Sequence, residues 1–209
     1  MKEIIVGILF VMVFSHVNAQ KHGKPISVEA LQKVMLDKTQ EIVSISCDFS
    51  QEKQMQYLDE AISSRGKLFF DKNNRLRWEY VDPFEYLIVI NDGNFIIETD
   101  GRKSEYDIES NKMFSQISEL IISSVNGTVF TDDKFNVEAY VDDKQYLVYL
   151  EPNIEELKQV IRKIKMRINK SDFSVDQVVM YEEQDDFTEI NFLNKQFNEV
   201  LPNHLFIVE

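Results

Sequence analysis

Residues 66–100 read GKLFFDKNNRLRWEYVDPFEYLIVINDGNFIIETD, and the fold is decided there. Gly66, Leu68 and Phe70 alternate with Lys67 and Phe69, the two-residue period of a strand with one buried face. Asp71-Lys72-Asn73-Asn74 reads as a turn. Leu76, Trp78 and Tyr80 then alternate with Arg75, Arg77 and Glu79. Asp82-Pro83 ends that strand, because proline has no N–H to give to a ladder. Tyr86 to Ile90 is continuously apolar, which predicts a strand covered on both faces. Asn91-Asp92-Gly93 predicts a hairpin into Phe95–Thr99, and Asp100-Gly101 a second turn. Short strands joined by tight turns pair antiparallel.

The pattern continues in both directions. Upstream, Val43, Ile45, Cys47 and Phe49 alternate with serines and Asp48. Before them Ser27 is a good N-cap for a helix whose apolar face would be Val28, Leu31, Val34, Met35 and Ile42, and residues 20–26 read as a loose leader. Downstream, Met113, Phe114, Ile117, Leu120 and Ile121 recur at helical spacing. The two-residue period returns at 135–141 and 146–150, and again at 164–168, 175–182 and 187–192. A short helix is predicted over 154–160, and Leu205 to Val208 closes the chain. The expectation is a mainly β fold with helices, in which roughly ten to twelve strands form a curved antiparallel sheet. No repeat or linker divides residues 20–209, so they form a single domain.

Residues 1–19 read as a cleaved signal peptide. Lys2 precedes the apolar run Ile4–Phe14, too short at about 16 Å of helix to span a bilayer, and the cut falls near Ala19. The predicted product is exported, and one cysteine excludes an intrachain disulfide. A net charge of −13 argues against nucleic acid and anionic membrane surfaces as partners. Past the signal region only His22 and His204 remain, neither in a nucleophile setting, and no phosphate loop or metal-ligand spacing occurs. Adjacent acids such as Asp142-Asp143 and Asp185-Asp186 lie at predicted turns. The expectation is a protein without enzymatic activity, cofactor or metal.

Apolar positions are what the sequence offers instead. Leu68, Phe70, Leu76, Trp78, Tyr80, Ile88, Ile90, Phe95 and Ile97 fall on one side of the predicted sheet, and the 113–121 segment brings a second apolar face. Periodicity alone allows either a filled core or a ligand cavity under a lid.

The order Phe49-Ser50-Gln51, Gly66-Lys67-Leu68, Leu76-Arg77-Trp78, Asp82-Pro83, Asn91-Asp92-Gly93 resembles the periplasmic lipoprotein carriers of the LolA family. A weaker echo covers Ile161 to Phe192. The resemblance implies an unclosed β-barrel with a helical lid, monomeric in the periplasm, shielding the acyl chains of lipoproteins between the inner and outer membranes. It implies as partners acylated lipoproteins or another lipid, an ATP-driven inner-membrane release complex and an outer-membrane acceptor. The nine apolar residues above would line the cavity, and Met113, Phe114, Ile117, Leu120 and Ile121 the lid. Lys72 stands where the family has a lid-latching arginine, and a point-like ammonium would latch differently from a planar fork. The alternative is a carrier or sensor for a different lipid on the same fold. On this reading Leu76→Glu abolishes acyl binding and leaves the sheet folded.

Overall fold

A computed structural model describes residues 23–108, 110, 119, 122–123, 128–182 and 185–208. The predicted signal peptide and the lid residues Met113, Phe114, Ile117, Leu120 and Ile121 lie outside the described residues.

Among the described residues, twelve strands form one antiparallel sheet in the order β1-β8-β9-β10-β11-β12-β2-β3-β4-β5-β6-β7. The strands are β1 (Lys24–Ile26), β2 (Ser44–Gln54), β3 (Ile62–Asp71), β4 (Arg75–Asp82), β5 (Tyr86–Asn91), β6 (Asn94–Thr99), β7 (Arg102–Asp107), β8 (Phe135–Val141), β9 (Gln145–Pro152), β10 (Lys163–Asn169), β11 (Val175–Tyr181) and β12 (Phe187–Phe197). Two runs of hairpins, β2–β7 and β8–β12, are zipped together where β12 pairs β2. β1 and β7 are the two edges, so the curved sheet is not closed into a barrel. Asp92-Gly93 and Asp100-Gly101 each carry positive φ at both central positions, which fits two-residue hairpin turns to the twist of their strands.

Two sequence readings are corrected. The leader contributes β1, which pairs with β8 through Lys24, Pro25 and Ile26. The helix α1 (Val28–Thr39) stops before Ile42, its buried face being Leu31 and Met35. It starts as expected, with Ser27 Oγ accepting from the Ala30 N–H at 3.2 Å. Leu205–Val208 belongs to a strap that runs through a 3-10 turn (Asn203–Phe206) across the outer face of β4 and β5.

That strap explains the apolar run of β5. Ile88 and Ile90 face inward, while Leu87, Val89 and Ile96 form an outer cluster with Val208. Basic residues hold the strap down. Arg75 donates to Asn203 Oδ1 at 3.0 Å, Arg77 to the Leu205 carbonyl at 3.3 Å and Lys103 to the Val208 carbonyl at 2.9 Å. The Arg75 guanidinium also lies 4.5 Å above the ring of Phe206, which is fully buried. Its ion-pair partner is Asp71. Burial would raise the Asp71 carboxyl, but hydrogen bonds from Arg75 and the Asn73 N–H outweigh it and hold the group below the usual carboxylate range.

The inner face carries two cores. One lies under α1: Leu31 and Met35 pack with Val129, Phe130, Phe135, Val148, Met166 and Ile168, so the β8–β11 half is filled by helix and turn. The other covers the β2–β6 half, and Met180 touches both. Gly66 fixes the geometry of this second half. Facing Phe49 on β2 and Tyr80 on β4, it has room for nothing larger: a Cβ would sit 2.0 Å from the Glu79 carbonyl oxygen and 2.5 Å from the Phe49 ring. Gly66→Ala is therefore expected to cost roughly 2–3 kcal/mol, read as a lower urea midpoint at unchanged slope.

Candidate functional site

The strand register arranges the second half as rungs that cross the sheet. Phe70, Leu76, Ile90 and Phe95 make one rung, extended by Ile45 on β2. Leu68, Trp78, Ile88 and Ile97 make the next, extended by Cys47. Phe49, Gly66, Tyr80 and Tyr86 make the third. All nine residues predicted to line a cavity fall into this one inner-face cluster.

They do not play equal parts. Leu68, Phe70, Leu76, Ile90 and Phe95 are buried, Leu76 at 0% exposure, whereas Trp78, Tyr80, Ile88 and Ile97 are half-buried. The first rung is core. In the second and third, Trp78, Ile88, Ile97, Tyr80 and Tyr86 present the surface that a ligand could touch. Sequence reasoning missed Ile45, Phe49, Met180, Ile190 and Phe192, which complete the cluster from β2, β11 and β12. The period-two alternation of those strands carried the signal. What was lacking was the long-range pairing of β12 with β2 that places Phe192 opposite Phe49.

Aromatic rings form the floor of the half-buried region. Phe49 lies 5.0 Å from Trp78 and 5.0 Å, edge-on, from Tyr80. Trp78 meets Phe192 at 6.1 Å, and Tyr80 meets Tyr86 at 5.8 Å. The Tyr80 hydroxyl donates to Gln51 Oε1 at 2.9 Å. Burial pushes it up to about 12, against smaller opposing contributions from Trp78 and Gln51. Burial likewise pushes the Cys47 thiol up to about 12. The folded protein should therefore resist iodoacetamide at pH 8 and gain one adduct by mass only in urea. Fast labelling without denaturant would mean that the inner face opens as far as Cys47.

Glu119, Ile122 and Ser123 are helical, and Ile122 packs on the apolar cluster. A cleft of about 430 Å³ lies beside them, lined by these three with Asn74, Thr128 and Asp132. Lys72 is exposed in the turn after β3, where its backbone N–H donates to the Val43 carbonyl at 3.0 Å. Its ammonium has no hydrogen-bond or ion-pair partner among the described residues. Asn74, not Lys72, is the residue of that turn that lines the cleft, and Arg75 is committed to the outer strap.

The acidic pairs that could have suggested catalysis act in turns. Asp142 Oδ1 accepts from the N–H groups of Lys144 and Gln145, both at 2.8 Å, and Asp185 pairs with Arg162 at the surface. Among the described residues, no helix is long and apolar enough to cross a membrane.

The family described as outer membrane lipoprotein carrier protein LolA matches residues 40–209. No curated protein matches the chain. Among solved structures, an uncharacterized conserved protein from Thermus thermophilus is similar with a TM-score of 0.56 at 7% identity, over 85% of this chain and 93% of that one. A chain of the Pseudomonas aeruginosa MucA/MucB complex gives 0.50 at 10% identity, over 88% of this chain and 62% of that one. This chain thus spans less than two thirds of that neighbour. A LolA superfamily protein from Nitrosomonas europaea gives 0.45 at 10% identity, over 85% and 97%. At such identities the likeness is one of fold.

Proposed function

Since this chain belongs to the LolA family of outer membrane lipoprotein carrier proteins, we propose that it is an exported carrier that shields the acyl chains of lipoproteins on the inner face of β2–β6. The observation that carries this reading is the half-buried apolar rung of Trp78, Ile88 and Ile97, lying on the half of the sheet that α1 does not fill. A protein that needed only a stable core would have covered it as it covers Leu31 and Met35.

The energetics fit the task. Each methylene withdrawn from water is worth about 0.8 kcal/mol, so a multi-chain anchor is held in its membrane by tens of kcal/mol. A carrier cannot extract it unaided. It hides the chains once a machine that does work has released them, which is the role of an ATP-driven inner-membrane complex, and yields them to an outer-membrane acceptor. A net charge of −13 keeps the carrier itself off anionic lipid surfaces in transit through the periplasm. The 113–121 segment is the proposed lid, and Lys72 a looser latch than an arginine would be.

Native mass spectrometry of the protein purified gently from the periplasm of a cell with its own lipoproteins tests the proposal. A bound acylated lipoprotein is the expected result. A bound free lipid would favour a dedicated carrier or sensor of that lipid. An apo mass, with Trp78 emission unmoved by added acyl ligands, would overturn the reading.

A further inference from the structure

Beyond the third rung the inner face of β2 and β12 turns polar. Past Phe49 on β2, the next inward positions are Gln51 and Lys53, and past Ile190 on β12 the inward residue is Thr188. Lys53 Nζ donates to both carboxylate oxygens of Glu182, at 3.0 and 2.9 Å, and Thr188 Oγ1 donates to Glu182 Oε1 at 3.0 Å. This end is charged but neutral in sum. At the opposite end the rung of Phe70, Leu76 and Ile90 is fully apolar.

Between the two lies a donor that no acceptor fully satisfies. Trp78 Nε1 is buried and makes no hydrogen bond among the described residues. The polar group nearest its reach is the Tyr80 oxygen, on which it acts as a donor that lowers the hydroxyl against burial. Gln51, whose Oε1 is occupied by the Tyr80 hydroxyl, has its amide N–H groups uncommitted among the described residues. Two uncommitted donors thus flank one tyrosine at the margin of an apolar face. Neutral oxygen acceptors attached to a hydrocarbon chain satisfy that arrangement, and hydrocarbon alone does not.

We propose that Trp78 Nε1 and Gln51 Nε2 bind the carbonyl oxygen of an acyl amide or ester. The cargo then lies in one direction, with its head beside Tyr80 and its tail running over Ile88 and Ile97 toward Leu76 and Ile90. The Lys53–Glu182 pair blocks the other direction, since a methylene tail would strip water from both charges. Because that pair is already neutral, a fatty carboxylate finds no unpaired cation at this end, and neutral amides and esters are preferred there. This inference rests on the carrier reading and specifies how the site holds its ligand.

Trp78 is the sole tryptophan of the chain and reports the direction. The probe is a stearoyl N-methylamide with a nitroxide on carbon 5 or carbon 16, titrated into the full-length protein while tryptophan emission is followed. The carbon-5 label should quench several-fold more strongly at equal occupancy. Gln51→Leu, checked for folding by circular dichroism, should weaken amide binding about tenfold and level the two labels. Binding with equal or stronger carbon-16 quenching, or an undiminished preference in Gln51→Leu, overturns the orientation alone. Failure of either label to bind overturns the carrier reading and the orientation with it.

Discussion

Leu76→Glu is expected to unfold the protein at neutral pH. Leu76 is 0% exposed, between Phe70 on β3 and Ile90 on β5. Replacing it removes a buried aliphatic side chain, about 2–3 kcal/mol of transfer free energy. It also places a carboxylate where no cation of the cluster can meet it, an effective penalty of several kcal/mol more. The sum is comparable with the whole stability of about 5–15 kcal/mol of an ordinary domain. Burial in the folded state raises the carboxyl above its unfolded value of about 4.3, so the penalty is smallest below that pH and grows as pH rises. Circular dichroism melts should show no cooperative transition at pH 7.5 and a partly recovered one near pH 4.5. A cooperative melt within a few degrees of the parent at pH 7.5 would mean that the first rung is open to water. The reading of Leu76→Glu from sequence, lost binding on an intact sheet, is thereby replaced: Leu76 is a wall residue in register but a core residue in burial.

That distinction marks how far the sequence could be read. Alternation assigns parity, and parity assigns a face, so all nine predicted residues came together in one cluster. Depth is another matter, because it depends on what lies over each rung. The continuous run Tyr86–Ile90 announced that both faces of β5 are covered, but its outer cover arrives from more than a hundred residues away, in Phe206 and Val208. Elements without apolar alternation were invisible. β7 reads RKSEYD and is exposed at every position, as suits an edge strand protected by charge, and β1 is three residues held by pairing with β8. Gly66 was noticed as a strand residue, whereas its role as the gap that admits the Phe49 ring appears only with the register. The polar end at Gln51 and Lys53 escaped for a related reason. Its members come from β2, β11–β12 and β4, and only pairing of distant strands assembles them.

The largest effect on binding without loss of fold is expected from Ile97→Glu. Ile97 is half-buried on β6, next to Ile88 on one side and to the exposed Ser104 of edge strand β7 on the other. In the free protein a glutamate there can turn to water across that edge, so the melting temperature should fall only modestly. A bound chain removes that escape. It loses an apolar contact worth about 1–2 kcal/mol and must also desolvate a carboxylate, several kcal/mol in effect. Together these predict a loss of roughly a thousandfold or more in affinity for a fluorescent acyl probe, measured by displacement at pH 7.5. Ile97→Val keeps the apolar character and should cost about tenfold at most. Affinity for the glutamate variant should recover as pH falls through the carboxyl's titration, because the protonated form is neutral, and Ile97→Val should show no such dependence. Parent-like binding by a folded Ile97→Glu protein would remove the β5–β6 surface from the site and leave only the half-buried aromatic groups Trp78, Tyr80 and Phe192 to hold a chain.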